Sequence, residues 1–261
     1  MPKLTRINIY PVKSFDAERV DEAVMLASGG LQHDRRFVLV DRAGDYVNGK
    51  RFPAVHRLRS HFNPVHDQLS VQVDGHGPHH TFDLRGDRAE LAAWMSDYFG
   101  QPLSVAENTA GGFPDDTESP GPTLVSTATL ALVASWFAGV TVDEARDRFR
   151  PNLEIDADEP FWEDRLLAAG PGVVRFQIGD AQLVGTNPCA RCPVPTRNPT
   201  SGDVIHGFAK VFAQQRQASL PDWAPRDRFD HFYRLSVNTR PVHAREATLR
   251  VGDELTILGV E

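Results

Sequence analysis

Cysteine is scarce: the 261-residue chain has two, Cys189 and Cys192, three positions apart. Two thiols exclude the disulfide framework of a small secreted fold. They also exclude an iron–sulfur cluster held by this chain alone, which takes about four cysteines. No apolar run approaches the roughly 20 residues of a membrane helix. The opening MPKLTRINIYPVKS has neither an apolar signal core nor a small-residue cleavage site. These absences predict a cytoplasmic protein with no membrane association, where close thiols stay reduced. Basic excess is absent too. The formal net charge is -7, which argues against nucleic acid as a partner. There is no solenoid repeat, no low-complexity tract, and no glycine-rich fingerprint for flavin or nicotinamide.

What the chain does have is alternation. Residues 4–12, 37–41, 46–47, 69–73, 173–178, 181–184, 247–251 and 254–258 carry the period-two or β-rich pattern of strands. Arg42-Ala43-Gly44, Asp74-Gly75, Gly179-Asp180 and Gly252-Asp253 read as the turns between them. Helices are fewer. Asp87 and Glu90 have capping-box spacing, and Leu91, Trp94, Met95 and Tyr98 form one apolar face before Gly100. Further helices are expected over about 126–137 and 206–217. The segment 108–122, rich in Gly, Pro and acid, reads as a linker between a β-rich part, 1–107, and a second, 123–261. The fold class is mainly β with a few helices, α+β.

On the residues alone, Cys189-Ala190-Arg191-Cys192 admits several readings. A structural zinc site needs four ligands, and no second cysteine pair exists. A thioredoxin-like dithiol needs a helix starting at the motif, and Pro188, Pro193, Pro195 and Pro199 oppose one. Two small buried side chains with no chemistry are the plain alternative.

The surrounding string, NPCARCPVPTRNPTSGD, resembles the signature of the MOSC family, named after the C-terminal domain of molybdenum-cofactor sulfurase. It is most similar to the branch holding the mitochondrial amidoxime-reducing components and their bacterial relatives. The pattern falls here on Cys192, Thr196, Pro199 and Ser201-Gly202, with Ser201 in place of threonine. Tyr10-Pro-Val-Lys-Ser14 is similar to the opening of that family's N-terminal barrel. Gly30-Leu31 with Asp34-Arg35-Arg36-Phe37, Arg148-Phe-Arg-Pro-Asn152 and Val251-Gly-Asp253 follow in the family's order.

The resemblance implies two barrel-like parts, an N-terminal MOSC barrel and a C-terminal MOSC barrel, with a molybdenum cofactor (a molybdopterin with a phosphate or nucleotide tail) between them. It implies Cys192 as the molybdenum ligand and the catalytic centre. A soft thiolate suits such a metal. Lys13, Arg35 and Arg150 are implied as cations for the anionic tail, with Ser14 and Asn152 as hydrogen-bonding groups. Arg191 stands beside Cys192, where its charge would favour the thiolate or its backbone would meet the cofactor. The implied activity is reduction of N-hydroxylated compounds: amidoximes, hydroxylamines and N-hydroxylated bases. The electrons would come from a separate protein of ferredoxin, flavoprotein or cytochrome type. The alternative is a non-catalytic carrier of the cofactor or its sulfur.

Other residues have plainer readings. His76, His79 and His80 are expected on an exposed hairpin loop rather than around a metal. Phe161-Trp162-Glu163-Asp164 frames a pocket or packs in the core, and Asp143, Glu144 and Asp147 are expected on a solvated helix face. Relatives in the resembled branch place an acidic residue where this chain has Val125-Ser126-Thr127, so the proton donor is left open, with His231 as one candidate.

Overall fold

Burial alternates in strands such as Gln68–Val73 and Val174–Ile178 and is continuous in others, such as Leu124–Ser126 and Leu153–Ile155. A computed structural model describes all residues 1–261. The first part of the chain forms β1 (Leu4–Ile9), β2 (Glu18–Val20), β3 (Glu22–Met25), β4 (Phe37–Asp41), β5 (Leu58–Asn63), β6 (Gln68–Val73), β7 (His76–Asp83), α1 (Arg88–Phe99) and β8 (Leu103–Glu107). The second part begins with β9 (Leu124–Ser126), α2 (Thr127–Ser135), α3 (Val142–Phe149), β10 (Leu153–Ile155), β11 (Val174–Ile178) and β12 (Ala181–Ala190). It ends with α4 (Phe208–Ala218), β13 (Arg234–Pro241), β14 (Ala247–Arg250) and β15 (Leu255–Val260). The protein is mainly β with four α-helices, as its alternation predicts. No helix is long and apolar enough to cross a membrane.

An eight-stranded sheet runs β15-β11-β12-β13-β9-β10-β1-β2. Its pairs are antiparallel except β9 with β10. Smaller sheets pair β14 with β3, β4 with β8, and β5 with β6 and β7. Sheet membership thus crosses the linker, because β1, β2 and β3 all pair with, or extend, strands of the second part. One apolar cluster joins Leu4, Ile7 and Met25 to Leu153, Phe176, Leu183 and Leu249. A second, around Phe37, Phe62, Val71 and Met95, lies in the first part, and a third packs α2, α3 and α4 through Leu130, Phe149, Phe208 and Phe212.

Several local expectations change. Asp87 does not cap α1; its carboxylate accepts from the Asp83 amide at 3.1 Å instead. Gly100 does end that helix, in the left-handed conformation. Gly179-Asp180 closes the β11–β12 hairpin, but Gly252-Asp253 is a corner: β14 goes to β3 and β15 to β11. The start of β1 fills that corner, with the Leu4 amide and carbonyl bonded to Asp253 and Gly252. The expected hairpin does form, on the β4 edge opposite β8: Tyr46 bridges Val40 and the Val47 amide donates to the Leu39 carbonyl at 2.9 Å. His76, His79 and His80 lie on strand β7, not in a loop. Phe161 is core.

Candidate cofactor site

The motif residues of the first part sit where the chain leaves β1. The Lys13 amide donates to the Phe37 carbonyl at 2.8 Å, which fixes this exit against β4. Ser14 then adopts φ 75°, Arg35 φ 48° and Arg150, just past α3, φ 51°. A left-handed residue with a side chain costs roughly 1–2 kcal/mol. Three of the chain's eight such residues are therefore sites named by the motifs, and backbone strain of this kind concentrates at functional positions.

Tyr10 is the centrepiece of the cluster. The Arg35 guanidinium lies 5.1 Å from its ring centre and that of Arg150 lies 4.1 Å away. Its hydroxyl donates to the Pro151 carbonyl at 3.1 Å. Burial pushes the Tyr10 pKa up to about 12, against the pull of both arginines. Burial also opposes the charge of Arg35, but its ion pair with Asp34 and the nearby Asp115 outweigh that. Arg150 has no such compensation. It makes no ion pair, donates to the Phe15 carbonyl at 2.6 Å, and burial together with Arg35 lowers its pKa. Lys13 is lowered by burial as well, with Asp115 opposing, and donates to the Phe113 carbonyl and Asp115 Oδ1, each at 2.7 Å.

Asn152 is placed differently from a free ligand. Its amide donates to the Asn8 carbonyl at 3.1 Å, and its oxygen accepts from the Thr123 amide and hydroxyl at 3.3 Å. Both polar ends are used inside the protein, so Asn152 ties β1 to β9 and stands 3.5 Å from Arg35 Nη1. Ser14 Oγ reaches only the Val47 carbonyl, at 3.4 Å.

The thiols lie where β12 ends. Cys189 is on the strand and Cys192 on the loop after it, ahead of a short 3-10 turn at Val194–Thr196. Both are half-buried and unbonded. No group of three or more His, Cys, Asp or Glu is gathered that could hold a metal, which removes the structural zinc reading. No helix starts at the motif, so the thioredoxin-like geometry is absent. The Arg191 side chain turns to Cys189, with Nη1 3.0 Å from Sγ, and also bonds the Phe149 carbonyl. Its charge thus faces the other sulfur from the one the motif favours. The Phe149 contact joins the Cys192 loop to the residue preceding Arg150. The loop also docks on the first part, where Arg59 donates to the Pro199 carbonyl at 3.1 Å. His56, buried beneath this junction, has its pKa pushed down to about 4 by burial, with Arg150 and Arg197 adding.

Residue spacing does not reveal two further groups. The Tyr233 hydroxyl is buried with no hydrogen-bond partner. Burial raises its pKa, with Arg191 opposing and Cys192 adding to the rise. Glu163 puts a buried carboxylate against the start of α2, accepting from the Ser126 amide at 3.2 Å and the Thr129 hydroxyl at 3.0 Å. His231 is exposed, and its Nδ1 accepts from the Tyr233 amide, so that nitrogen serves its own loop.

The set suits an anionic, sulfur-ligated group. It offers a free half-buried thiol, a buried hydroxyl with no partner, and buried cations of which Arg150 lacks a carboxylate partner.

The chain is similar to several known proteins. Molybdenum cofactor sulfurase of Drosophila mojavensis is 28% identical over 77% of this chain and 29% of its own length. The Drosophila erecta sulfurase is 27% identical over 98% and 35%, and that of Danio rerio 27% over 84% and 33%. The chain therefore spans about a third of the curated relatives it matches. Among solved structures, YUAD protein from Bacillus subtilis aligns over 98% of this chain and 94% of its own at 12% identity and TM-score 0.44. YiiM from Geobacillus stearothermophilus covers 53% and 54% at 11% identity and TM-score 0.35. Residues 1–102 match the model for the MOSC N-terminal beta barrel domain and residues 123–256 that for the MOSC domain, and the chain belongs to the MOSC family.

Proposed function

We propose that this chain binds molybdenum cofactor through the Cys192 thiolate and reduces N-hydroxylated compounds with electrons from a separate donor protein. The observation that carries the reading is the convergence of both parts on one cluster. Lys13 and Arg35 come from the first, Arg150 from the second, and Arg191 fastens the Cys192 loop to the residue before Arg150.

When bound, the cofactor supplies two-electron oxygen-abstracting chemistry. The chain's own residues do the rest. Cys192 offers one soft ligand and Lys13, Arg35 and Arg150 meet the anionic tail. Tyr10 packs its ring against both guanidiniums. Asn152 positions Arg35. The buried Tyr233 hydroxyl keeps its proton, since burial raises its pKa. Overall, an N-hydroxyl group, two electrons and two protons give an amine-type nitrogen and water.

A second reading, a non-catalytic carrier of cofactor or sulfur, is favoured by the sulfurase identity of the curated relatives. Metal and pterin analysis of protein from a cofactor-competent host separates the cases. Stoichiometric molybdenum, lost in Cys192→Ser and kept in Cys189→Ser, is expected. Loaded, chemically reduced protein that fails on amidoximes, hydroxylamines and N-hydroxylated bases would leave the carrier. Absent molybdenum with a titratable Cys189–Cys192 disulfide would sink both.

A further inference from the structure

The segment between β8 and β9 does more than connect. It has no helix or strand, yet it is fastened along its length. The Phe113 amide donates to the Arg35 carbonyl at 2.9 Å. A Cβ on Gly112 would stand 2.4 Å from the Asp34 carbonyl oxygen, so only glycine lets the segment lie this close. Further on, Asp116 Oδ2 accepts from the Asn238 amide at 3.0 Å, and Ser119 donates to the Thr186 hydroxyl at 2.9 Å.

Between these fastenings the segment covers Lys13. The Phe113 carbonyl and Asp115 Oδ1 both accept from Lys13 Nζ at 2.7 Å. Phe113 packs edge-on against Tyr46, 5.7 Å between ring centres, and Lys13 lies 5.6 Å from that same Tyr46 ring. The two ends of the ion pair differ in solvation: the Lys13 side chain is 10% exposed and that of Asp115 is 87% exposed. The Asp115 charge also acts on Arg35, so one carboxylate serves two of the three cations. A carboxylate already facing water loses little hydrogen bonding when it swings out, whereas the buried ammonium needs an anion in its place.

We propose that Phe113–Asp115 is a displaceable strap whose Asp115 carboxylate imitates the phosphate of the ligand's tail and holds Lys13 until a phosphate ester or diphosphate displaces it. The inference rests on reading Lys13, Arg35 and Arg150 as the cations for that tail. The strap neutralises Lys13 and turns tail binding into an exchange of one anion for another. Small anions of single charge compete poorly, because Asp115 is tethered and therefore present at high effective concentration.

Titration calorimetry of the full chain with inorganic pyrophosphate tests this. Asp115→Asn is expected to bind about tenfold more tightly than wild type, since the competitor is gone. Glu118→Gln makes the same change in net charge on the same segment at an exposed residue with no ion pair, and is expected to match wild type. Lys13→Met is expected to lose binding. Thermal unfolding gives a second readout: pyrophosphate should raise the midpoint of Asp115→Asn more than that of wild type. Equal or weaker binding by Asp115→Asn, an equal gain in Glu118→Gln, or no binding by any form overturns the strap. Molybdenum retention is read separately, so its loss would remove the cofactor reading while leaving the pyrophosphate series to stand or fall alone.

Discussion

Glu163 offers a quantitative test of the burial that shapes this fold. Its side chain is 1% exposed, Oε2 accepts from Ser126 and Thr129, and Oε1 has no partner. Burial, with the Asp164 charge adding, pushes its pKa from an ordinary 4.5 to about 7. The folded chain therefore binds this proton more tightly than the unfolded chain does. The sign follows from linkage: stability from Glu163 is complete below about pH 4.5, declines as pH rises, and is gone above about pH 7. At ~1.4 kcal/mol per pH unit across that window, the loss is about 3 kcal/mol. Glu163→Gln keeps the shape and both accepted hydrogen bonds but carries no charge. Urea unfolding of both proteins between pH 4.5 and pH 8 isolates the effect, because other titrating groups cancel in the difference. The variant's stability relative to wild type should climb by about 3 kcal/mol over that range. A difference that stays flat, or falls with rising pH, refutes the argument.

Further outcomes follow from single contacts. Arg216 is buried, paired with Asp164, and stacked 3.7 Å from the centre of Phe161. Arg216→Met leaves Asp164 uncompensated and should cost about 3–5 kcal/mol by thermal melt, with Asp164→Asn in the same chain recovering part of it. A Cβ on Gly185 would sit 1.9 Å from the Leu166 carbonyl oxygen, so Gly185→Ala should force β12 and its neighbour apart and unfold at lower urea than wild type. His56, held to about 4, should show a flat imidazole carbon shift by NMR from pH 5 to pH 8; a midpoint near 6.5 would remove the arginine-crowded junction. Ser126→Ala removes the side-chain cap of α2 and should lower stability by about 1 kcal/mol in the same melts.

Much of this was legible in the residues, and the parts that were not share a cause. Alternation finds strands such as β6 and β11 because one face of each is buried. Gly100 marks the end of α1 because the left-handed position there favours glycine. Pairing partners are another matter. The Gly-Asp turns after β11 and β14 look alike, yet one closes a hairpin and the other turns a corner around Leu4. What decides between them is a strand 250 residues away in the chain. The motif residues named Lys13, Arg35 and Arg150, but not that both arginines would pack on the Tyr10 ring or that Arg191 would face Cys189. Glu163 reads only as part of a segment that frames a pocket or packs in the core, because its bond to the Ser126 amide joins residues far apart in the chain. Asp87 shows the local version of the problem, since its carboxylate had a closer donor in Asp83 than in the helix it precedes.

The threading of β1 and β3 into strands of the second part has a consequence for synthesis. The partner of Leu4 is Ile155 and the partner of Met25 is Ala247. On a ribosome adding ~5–20 residues per second, β1 waits on the order of ten seconds for its neighbour, and β3 longer. Its apolar residues Ile7 and Ile9 spend that time uncovered beside a first part that can already close around Phe37, Phe62 and Met95. Codon usage that slows translation before residue 153 would lengthen this exposure. A nascent chain arrested ahead of β10 should accordingly be a better substrate for a holdase chaperone than one arrested after β14.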